Sequence, residues 1–351
     1  MTTSARRDRP PEVPGLDIGR VSEWMASPGI GARSPLRFDR FGHGKSNLTF
    51  EVADADGRRW VLRRPPLGRL LPGAHDVVRE HRILAALEQT DVPVPRVTAL
   101  AEPGEVADVP LLAMDYVEGF VVQDSAAAQL LPPARRLEVG LALCSALGRV
   151  HAVDLEGAGL DDLASHSPYA HRQLKRWHGQ WERSRTRDIP EIDDLASRLR
   201  AAAPEPGELT LVHGDFHLRN VITSTADGSV LAILDWELCT LGDPLADLGG
   251  LFAYWPEPGE PATAVNPAST LPGFPSRDEL AHEYARTTGR GLDALGFWHV
   301  LALWKVAIIA EGVLRRNRDE PLNAASTTSL RPEGVDELVS RAIATAEKEG
   351  I

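Results

Sequence analysis

The densest chemical signal in the chain is an aspartate, an asparagine five positions later, and a second aspartate at the end of a strand-like run: Asp215 and Asn220 in LVHGDFHLRNVI, and Asp235 in VLAILDW. Asp215 directly follows one strand-like run and Asn220 directly precedes another, so a single loop can present both to one side, where Asp235 can join them. Two carboxylates and an amide oxygen suit a hard divalent cation together with a proton acceptor. Phosphoryl transfer to a hydroxyl makes that demand: cations neutralise the charge developing on the phosphoryl oxygens while a carboxylate takes the hydroxyl proton.

The elements that must hold these residues are legible as two textures. From Pro35 to Val117 the runs LRFDRFG, NLTFEVAD and RRWVLRRP alternate as strands do, with Asp56-Gly57 as a hairpin signal, and predict a three-stranded meander. His75 to Leu87 spaces Val77, Val78, Ile83, Leu84 and Leu87 on one helical face, and VPVPRVTAL and PLLAMDYV read as two further strands. Beyond Gly119, amphipathic segments near 135–152, 169–185, 191–203, 277–288, 291–316 and 333–348 predict a mostly helical second half. The expected fold class is α+β. It comprises a disordered segment over 1–20, a β-rich region over 21–117 and a helical region over 118–351, with a hinge near Tyr116 to Phe120. Pro256 to Pro275, rich in Pro, Gly, Ala and Thr, reads as a long, mobile surface loop.

Composition narrows the class. The chain has 351 residues, and 38 basic against 50 acidic side chains leave a net charge of −12, which argues against a general nucleic-acid binder. Cys144 and Cys239 are too few for a disulfide framework and lack the spacing of a zinc site. The N-terminus has no apolar h-region, and the most apolar stretch, Phe297 to Leu314, is broken by His299, Lys305 and Glu311. A cytoplasmic protein without a membrane span is expected, and a homodimer is compatible with the sequence. Lysine occurs only at 45, 175, 305 and 348, so nearly all positive charge is arginine.

The pattern H-G-D-x-x-x-x-N followed by I-L-D-W-E resembles the catalytic and metal loops of the aminoglycoside phosphotransferase family, relatives of the protein kinases. The resemblance runs over about residues 35–320. It implies a kinase-like two-lobed fold with a small β-rich N-lobe and a larger helical C-lobe, Mg-ATP in the cleft, and transfer of the γ-phosphoryl group to a hydroxyl of a small molecule. Asp215 would be the catalytic base, Asn220 and Asp235 the magnesium ligands, and His213 a structural residue of the loop. Asp243 and Asp247 in GDPLADLG would cap a helix or hold the loop. Phe41-Gly42-His43-Gly44-Lys45-Ser46-Asn47 occupies the place of the nucleotide-covering loop, so Gly42, Gly44, Lys45, Ser46 and Asn47 would meet the phosphates. Glu80 matches the family's helix glutamate, and the backbone of Asp115 to Val117 would bond adenine.

One position departs from the family pattern: the strand that should carry a phosphate-binding lysine reads WVLRRPP, with Arg63 in its place, or Arg64 if the register differs by one. Arginine binds phosphate as a planar fork and is not equivalent to a point charge. Arg63 either pairs with Glu80 and orients phosphates, or marks a pseudokinase that binds nucleotide and regulates a partner enzyme. GxSNLTF, VLRRPP and HGDFHLRNVI are most similar to the branch related to kinase-like domains fused to acyl-CoA dehydrogenases, which implies hydroxylated acyl acceptors, a hydroxyacyl-CoA or a related metabolite, with an aminoglycoside-modifying kinase as a further alternative. On the segment 169–187, Arg172, Arg176, Arg183 and Trp177 form a basic edge beside an aromatic stripe. It reads as ordinary core packing or as a wall for an anionic acyl-CoA, and would suit a polycationic aminoglycoside poorly. GHGKS fails the Walker A spacing, and His213 with His217 flank a turn rather than a metal-binding helix.

Overall fold

A computed structural model describes residues 13–41, 47–67, 76–164, 167–261, 265–319 and 330–351. It divides into two units, the first running to Gln89 and resuming over Val94–Glu118, the second made of Thr90–Pro93 and Gly119–Ile351.

The first unit is built on an antiparallel sheet in the order β1-β2-β3-β5-β4, with β1 Arg37–Phe41, β2 Leu48–Ala53, β3 Arg59–Arg64, β4 Val97–Ala101 and β5 Leu111–Asp115. Period-2 alternation buries Phe50, Val52, Trp60 and Leu62 on one face of the meander. The β2–β3 turn is locked by Asp54, whose carboxylate accepts from the N–H groups of Asp56 and Arg58, both at 2.9 Å, and of Arg33 at 3.2 Å. Helix α2 (Val77–Leu87) starts at Asp76, which caps the Arg79 N–H at 2.9 Å. The helix buries Glu80 among Val77, Ile83, Leu84 and Leu87.

The disorder expected over residues 1–20 does not extend to the described residues 13–20. Val13 is buried in the core, the Pro14 and Gly15 carbonyls accept from Arg64 Nη1, and helix α1 (Ile18–Met25) begins under an Asp17 cap. Val21 and Met25 of α1 complete the hydrophobic cluster beneath the sheet. The short apolar period of α1 is hard to distinguish from loop sequence, and its anchor, Arg64, lies 50 residues away.

The second unit is helical: α3 Ser125–Gln129, α4 Pro133–His151, α5 Tyr169–Ser184, α6 Pro190–Ala201, α7 Leu245–Ala253, α8 Arg277–Thr288, α9 Leu295–Asp319 and α10 Pro332–Glu349. Between α6 and α7 lie two antiparallel strand pairs, β6 (Thr210–Val212) with β9 (Thr240–Gly242) and β7 (Val221–Thr223) with β8 (Val230–Ile233). Helix α9 is long and apolar enough to cross a membrane by length and composition, but 78% of its most apolar stretch is buried inside the protein. Its Trp298 and Trp304 are fully buried, and the Trp304 indole N–H donates to the Ile192 carbonyl of α6 at 2.9 Å. Gly249 lets α7 approach this helix closely: a Cβ there would come within 2.5 Å of the Trp298 backbone.

The segment Pro256 to Pro275 is pinned rather than loose where it is described, and residues 262–264 lie outside the described residues. A 3-10 turn at Pro267–Thr270 buries Ala268 and Ser269, whose hydroxyl donates to the Pro256 carbonyl at 2.7 Å, while Glu257 and Glu260 pair with Arg277 at the start of α8. A Pro/Gly-rich composition hides such side-chain anchoring.

Candidate active site

The loop after β6 is clamped from both sides. Asp247, in the first turn of α7, accepts the His213 N–H at 2.6 Å on one carboxylate oxygen and the Gly214 N–H at 2.8 Å on the other. His151 Nε2 stands 3.3 Å from the same carboxylate. On the opposite side of the Gly214 peptide, Lys305 Nζ donates to the Gly214 carbonyl at 2.7 Å. Gly214 has φ +82°, and a Cβ would meet the Leu238 carbonyl oxygen at 2.7 Å, so both the backbone conformation and the space require glycine. His213 is fully buried: its Nε2 bonds the Leu234 carbonyl at 2.9 Å, and its Nδ1 accepts the Asp215 N–H at 3.2 Å. Burial lowers its pKa despite the charges of Asp247 and Asp215, and the neutral ring braces the loop.

Asp215 emerges from this clamp beside Asn220. The 3-10 turn Leu218–Asn220 brings Asn220 Nδ2 to 2.9 Å from the Asp215 carbonyl and 3.3 Å from Asp215 Oδ2. With Nδ2 spent on Asp215, the amide oxygen of Asn220 is the end left to bind a cation. His217 Nε2 lies 3.4 Å from Asp215 Oδ2 while its Nδ1 accepts the Arg219 N–H, and its ring packs edge-on against Tyr254 at 4.7 Å. Burial alone would raise the Asp215 pKa. The hydrogen bond from His217 and the electrostatic influence of His217, Lys305 and His213 outweigh it and hold the carboxyl below the usual carboxylate range. Asp215 is therefore an ionised acceptor at neutral pH.

Asp235 follows β8, and the Leu234 N–H donates to the Asn220 carbonyl at 2.8 Å, which sets Asp235 next to the Asn220 strand. It adopts the left-handed conformation, φ 66° and ψ 63°, the sole non-glycine positive φ among the described residues. The buried Trp236 behind it packs on the His213 ring at 4.8 Å. No group of three or more His, Cys, Asp or Glu that could hold a metal ion occurs among the described residues. The donor set fits magnesium nonetheless, because this cation is bound through one or two carboxylates and completes its shell with water and phosphate oxygens. One carboxylate and one amide oxygen on adjacent strands meet that requirement.

Asp215 opens into a concavity, partly open to solvent, lined by Tyr169, Gln173, Tyr254, Leu301 and Lys305 among others. Of the residues expected on α5, Trp177 is buried beside this space, with the Lys305 ammonium 5.2 Å from its ring centre and the Arg176 guanidinium 5.3 Å away. Its indole N–H donates to Gln173 Oε1 at 3.0 Å. Arg172 is turned instead to the backbone, donating to the carbonyls of Ser167 and Leu241. Arg176 and Arg183 are exposed, the latter reaching Gln180 Oε1 at 3.4 Å. Sequence reading missed Gln173, Tyr169 and Tyr254, and left the helix that carries Lys305 as either a second cleft wall or simple core. Lys305 carried the one available signal, a charge in an otherwise apolar helix.

In the first unit, β3 turns Arg63 toward α2, where its Nη1 lies 2.7 Å from Glu80 Oε1, both side chains largely buried. Arg64 points the other way, to the Pro14 and Gly15 carbonyls. Gly42, Gly44, Lys45 and Ser46 lie outside the described residues. Asn47 is buried, and among the described residues neither its amide nitrogen nor its amide oxygen has a hydrogen-bond partner, a site that a polar ligand would satisfy. At the end of β5 the Asp115 N–H is committed to the Arg96 carbonyl at 2.8 Å, and the Asp115 side chain accepts from Arg96 and Thr98. The Tyr116 N–H contacts the Arg59 carbonyl at 3.4 Å, whereas the Val117 N–H has no backbone partner among the described residues. Tyr116 stacks with the exposed Phe41 at 6.2 Å.

Residues 37–298 match the model of the phosphotransferase enzyme family. The mouse protein named acyl-CoA dehydrogenase family member 10 is 36% identical over 82% of this chain, and human acyl-CoA dehydrogenase family member 11 is 32% identical over 84%. The chain spans only 27% and 38% of those two proteins. Among solved structures, a Ralstonia eutropha JMP134 protein provisionally described as an aminoglycoside phosphotransferase is 29% identical, with a TM-score of 0.73 over 95% of this chain and 97% of that one. Aminoglycoside phosphotransferase APH(4)-Ia, solved with AMP-PNP and hygromycin B, shares the kinase-like fold at 17% identity and a TM-score of 0.60, over 94% and 98% of the two chains. By its matched span, its relatives and its fold, the chain belongs to the phosphotransferase enzyme family.

Proposed function

We propose that the protein transfers the γ-phosphoryl group of Mg-ATP to a hydroxyl of a small molecule. The observation that carries this reading is Asp215, held ionised at the edge of a pocket, with the Asn220 amide oxygen and Asp235 on adjoining strands. The acceptor oxygen bonds to the γ-phosphorus, its proton passes to Asp215, the bond from the γ-phosphorus to the bridging oxygen breaks, and ADP leaves. Magnesium bound at Asn220 and Asp235 would neutralise charge on the phosphate oxygens. Arg63, oriented by Glu80, is placed to bind phosphate through its fork, and the Val117 N–H and the Phe41–Tyr116 shelf offer a hydrogen bond and a stacking surface to a base.

For the acceptor, the exposed Arg176 and Arg183 favour an anionic molecule over a polycationic aminoglycoside, and the names of the relatives are consistent with a hydroxyacyl group linked to coenzyme A. A nucleotide-binding regulator of a partner enzyme is the second reading, favoured by Arg63 in the place of lysine. Calorimetric titration with ATP, with and without magnesium, in the wild type and Asp235→Asn, followed by a screen of hydroxyacyl-CoA acceptors, tests both. Magnesium-dependent binding lost in Asp235→Asn, with turnover lost in Asp215→Asn, is the expected result. Nucleotide binding without any turnover would leave the regulator, and no binding at millimolar ATP would defeat both readings.

A further inference from the structure

Lys305 is an unusual group to find in helix α9. Its neighbours in the helix are Trp304 and Val306, both buried, yet its ammonium reaches the pocket that Asp215 opens into. An ammonium has three donors. One goes to the Gly214 carbonyl at 2.7 Å, and the Trp177 ring lies 5.2 Å away. No carboxylate oxygen lies within 4 Å of it among the described residues: Asp215 and Asp247 act on it through space only. Asp247 is already engaged with two backbone N–H groups and His151. The Arg176 guanidinium lies 5.3 Å from the centre of the same indole. A desolvated cation without a contacting anion is costly, and the pocket leaves room for a ligand to provide one. Burial lowers the Lys305 pKa and Arg176 pushes it further down, while Asp215 and Asp247 oppose the shift.

We infer that Lys305 forms an oxyanion subsite of this pocket, binding a carboxylate or phosphate oxygen of the molecule that sits beside Asp215. The inference deepens the phosphotransfer reading, on which it rests for the hydroxyl alone; the oxyanion subsite stands on the pocket itself. Two sources share this chemistry: an anionic group carried by the acceptor, or the phosphate of the phosphorylated product. The subsite selects against acceptors that bring an amine to the same position, because that amine would face the Lys305 ammonium.

With only four lysines in the chain, lysine-selective isotope labelling resolves the side chain of Lys305. Its signal is assigned by elimination from Lys45→Arg, Lys175→Arg and Lys348→Arg, so no altered Lys305 has to fold. The full-length protein, without nucleotide, is titrated with 3-hydroxybutyrate, 1,3-butanediol, 3-aminobutan-1-ol and glycerol 3-phosphate. A saturable shift of the Lys305 signal with 3-hydroxybutyrate assigns the oxyanion to the acceptor, and one with glycerol 3-phosphate alone assigns it to the product. Lys305→Met then weakens binding of the responding ligand by about tenfold or more, the scale of one charge-assisted hydrogen bond. A Lys305 signal unmoved by either anion, or moved as much by the diol or the amino alcohol, overturns the inference and leaves Lys305 as a prop for the Gly214 carbonyl. The nucleotide titration of the wild type is a separate measurement, so either reading can fail alone.

Discussion

Asp247→Asn is expected to destabilise the second unit far more than its near-isosteric shape suggests. The wild-type carboxylate is 3% exposed and uses one oxygen for the His213 N–H at 2.6 Å and the other for the Gly214 N–H at 2.8 Å. An asparagine keeps one acceptor and turns a donor toward the second N–H, so one charge-assisted bond is lost, the other becomes neutral, and a buried N–H is left unpaired. At about 1.5–3 kcal/mol for a hydrogen bond to a charged group and about 0.5–1.5 for a neutral one, the loss comes to about 2.5–4.5 kcal/mol. Urea denaturation followed by tryptophan fluorescence measures it, with an unchanged slope as evidence that the same surface is exposed on unfolding. The direction with pH follows from the depressed carboxyl: burial raises the Asp247 pKa, but His151, His213 and the Gly214 N–H lower it more. Its contribution is therefore fully present above the unfolded value near 3.8 and is lost as pH falls below it through the folded value. The difference between wild type and Asp247→Asn should stay constant from pH 8 to about 5 and narrow only under stronger acid. A variant within about 0.5 kcal/mol of wild type at pH 7 would refute the clamp.

Gly214→Ala meets both a positive φ and the Leu238 carbonyl, and should cost more than about 2 kcal/mol in the same denaturation assay while abolishing phosphoryl transfer. Arg63→Met removes the guanidinium 2.7 Å from the buried Glu80 carboxylate and should cost about 3 kcal/mol, most of it recovered in the double variant Arg63→Met/Glu80→Leu; an additive double variant would show that the pair is not coupled. Because burial raises the Asp215 pKa but His217 and the surrounding cations lower it more, the base stays ionised and kcat/KM should show no acid limb from Asp215 between pH 8 and about 5. His217→Ala should move that limb upward toward neutrality, and an unchanged pH profile in this variant would remove His217 from the account.

What could be read in advance is what short spacing carries. The meander of β1 to β3, the helix with Glu80 and the loop from His213 to Asn220 are local patterns, each written within fewer than thirty residues. Arg63 facing Glu80, with Arg64 turned to Pro14 and Gly15, follows from alternation along one strand once the register is set. Lys305 was illegible because its meaning lies 91 residues away at the Gly214 carbonyl, and a charge in an apolar helix does not say what it faces. Arg172 shows the reverse error: grouped with Arg176 by helical spacing, it bonds the Ser167 and Leu241 carbonyls instead. Helix α1 and the packed stretch around Ser269 were hidden for the same reason, since Arg64 and the Pro256 carbonyl that hold them are distant or lie in loop-like sequence.

The four residues Thr90–Pro93 belong to the second unit although both flanks belong to the first, and the Pro93 carbonyl accepts the Ile233 N–H at 2.8 Å, directly behind Asp235. The polypeptide therefore passes between the units three times, and no single cut yields two complete modules. A fragment begun at Gly119 would omit Pro93 and bare the Ile233 amide one residue from Leu234, whose own N–H registers Asp235 against Asn220. Transplanting the helical half into another protein would have to carry this short splice along, as a separate strip if need be, or accept a frayed edge where Asp235, the proposed magnesium ligand, is mounted.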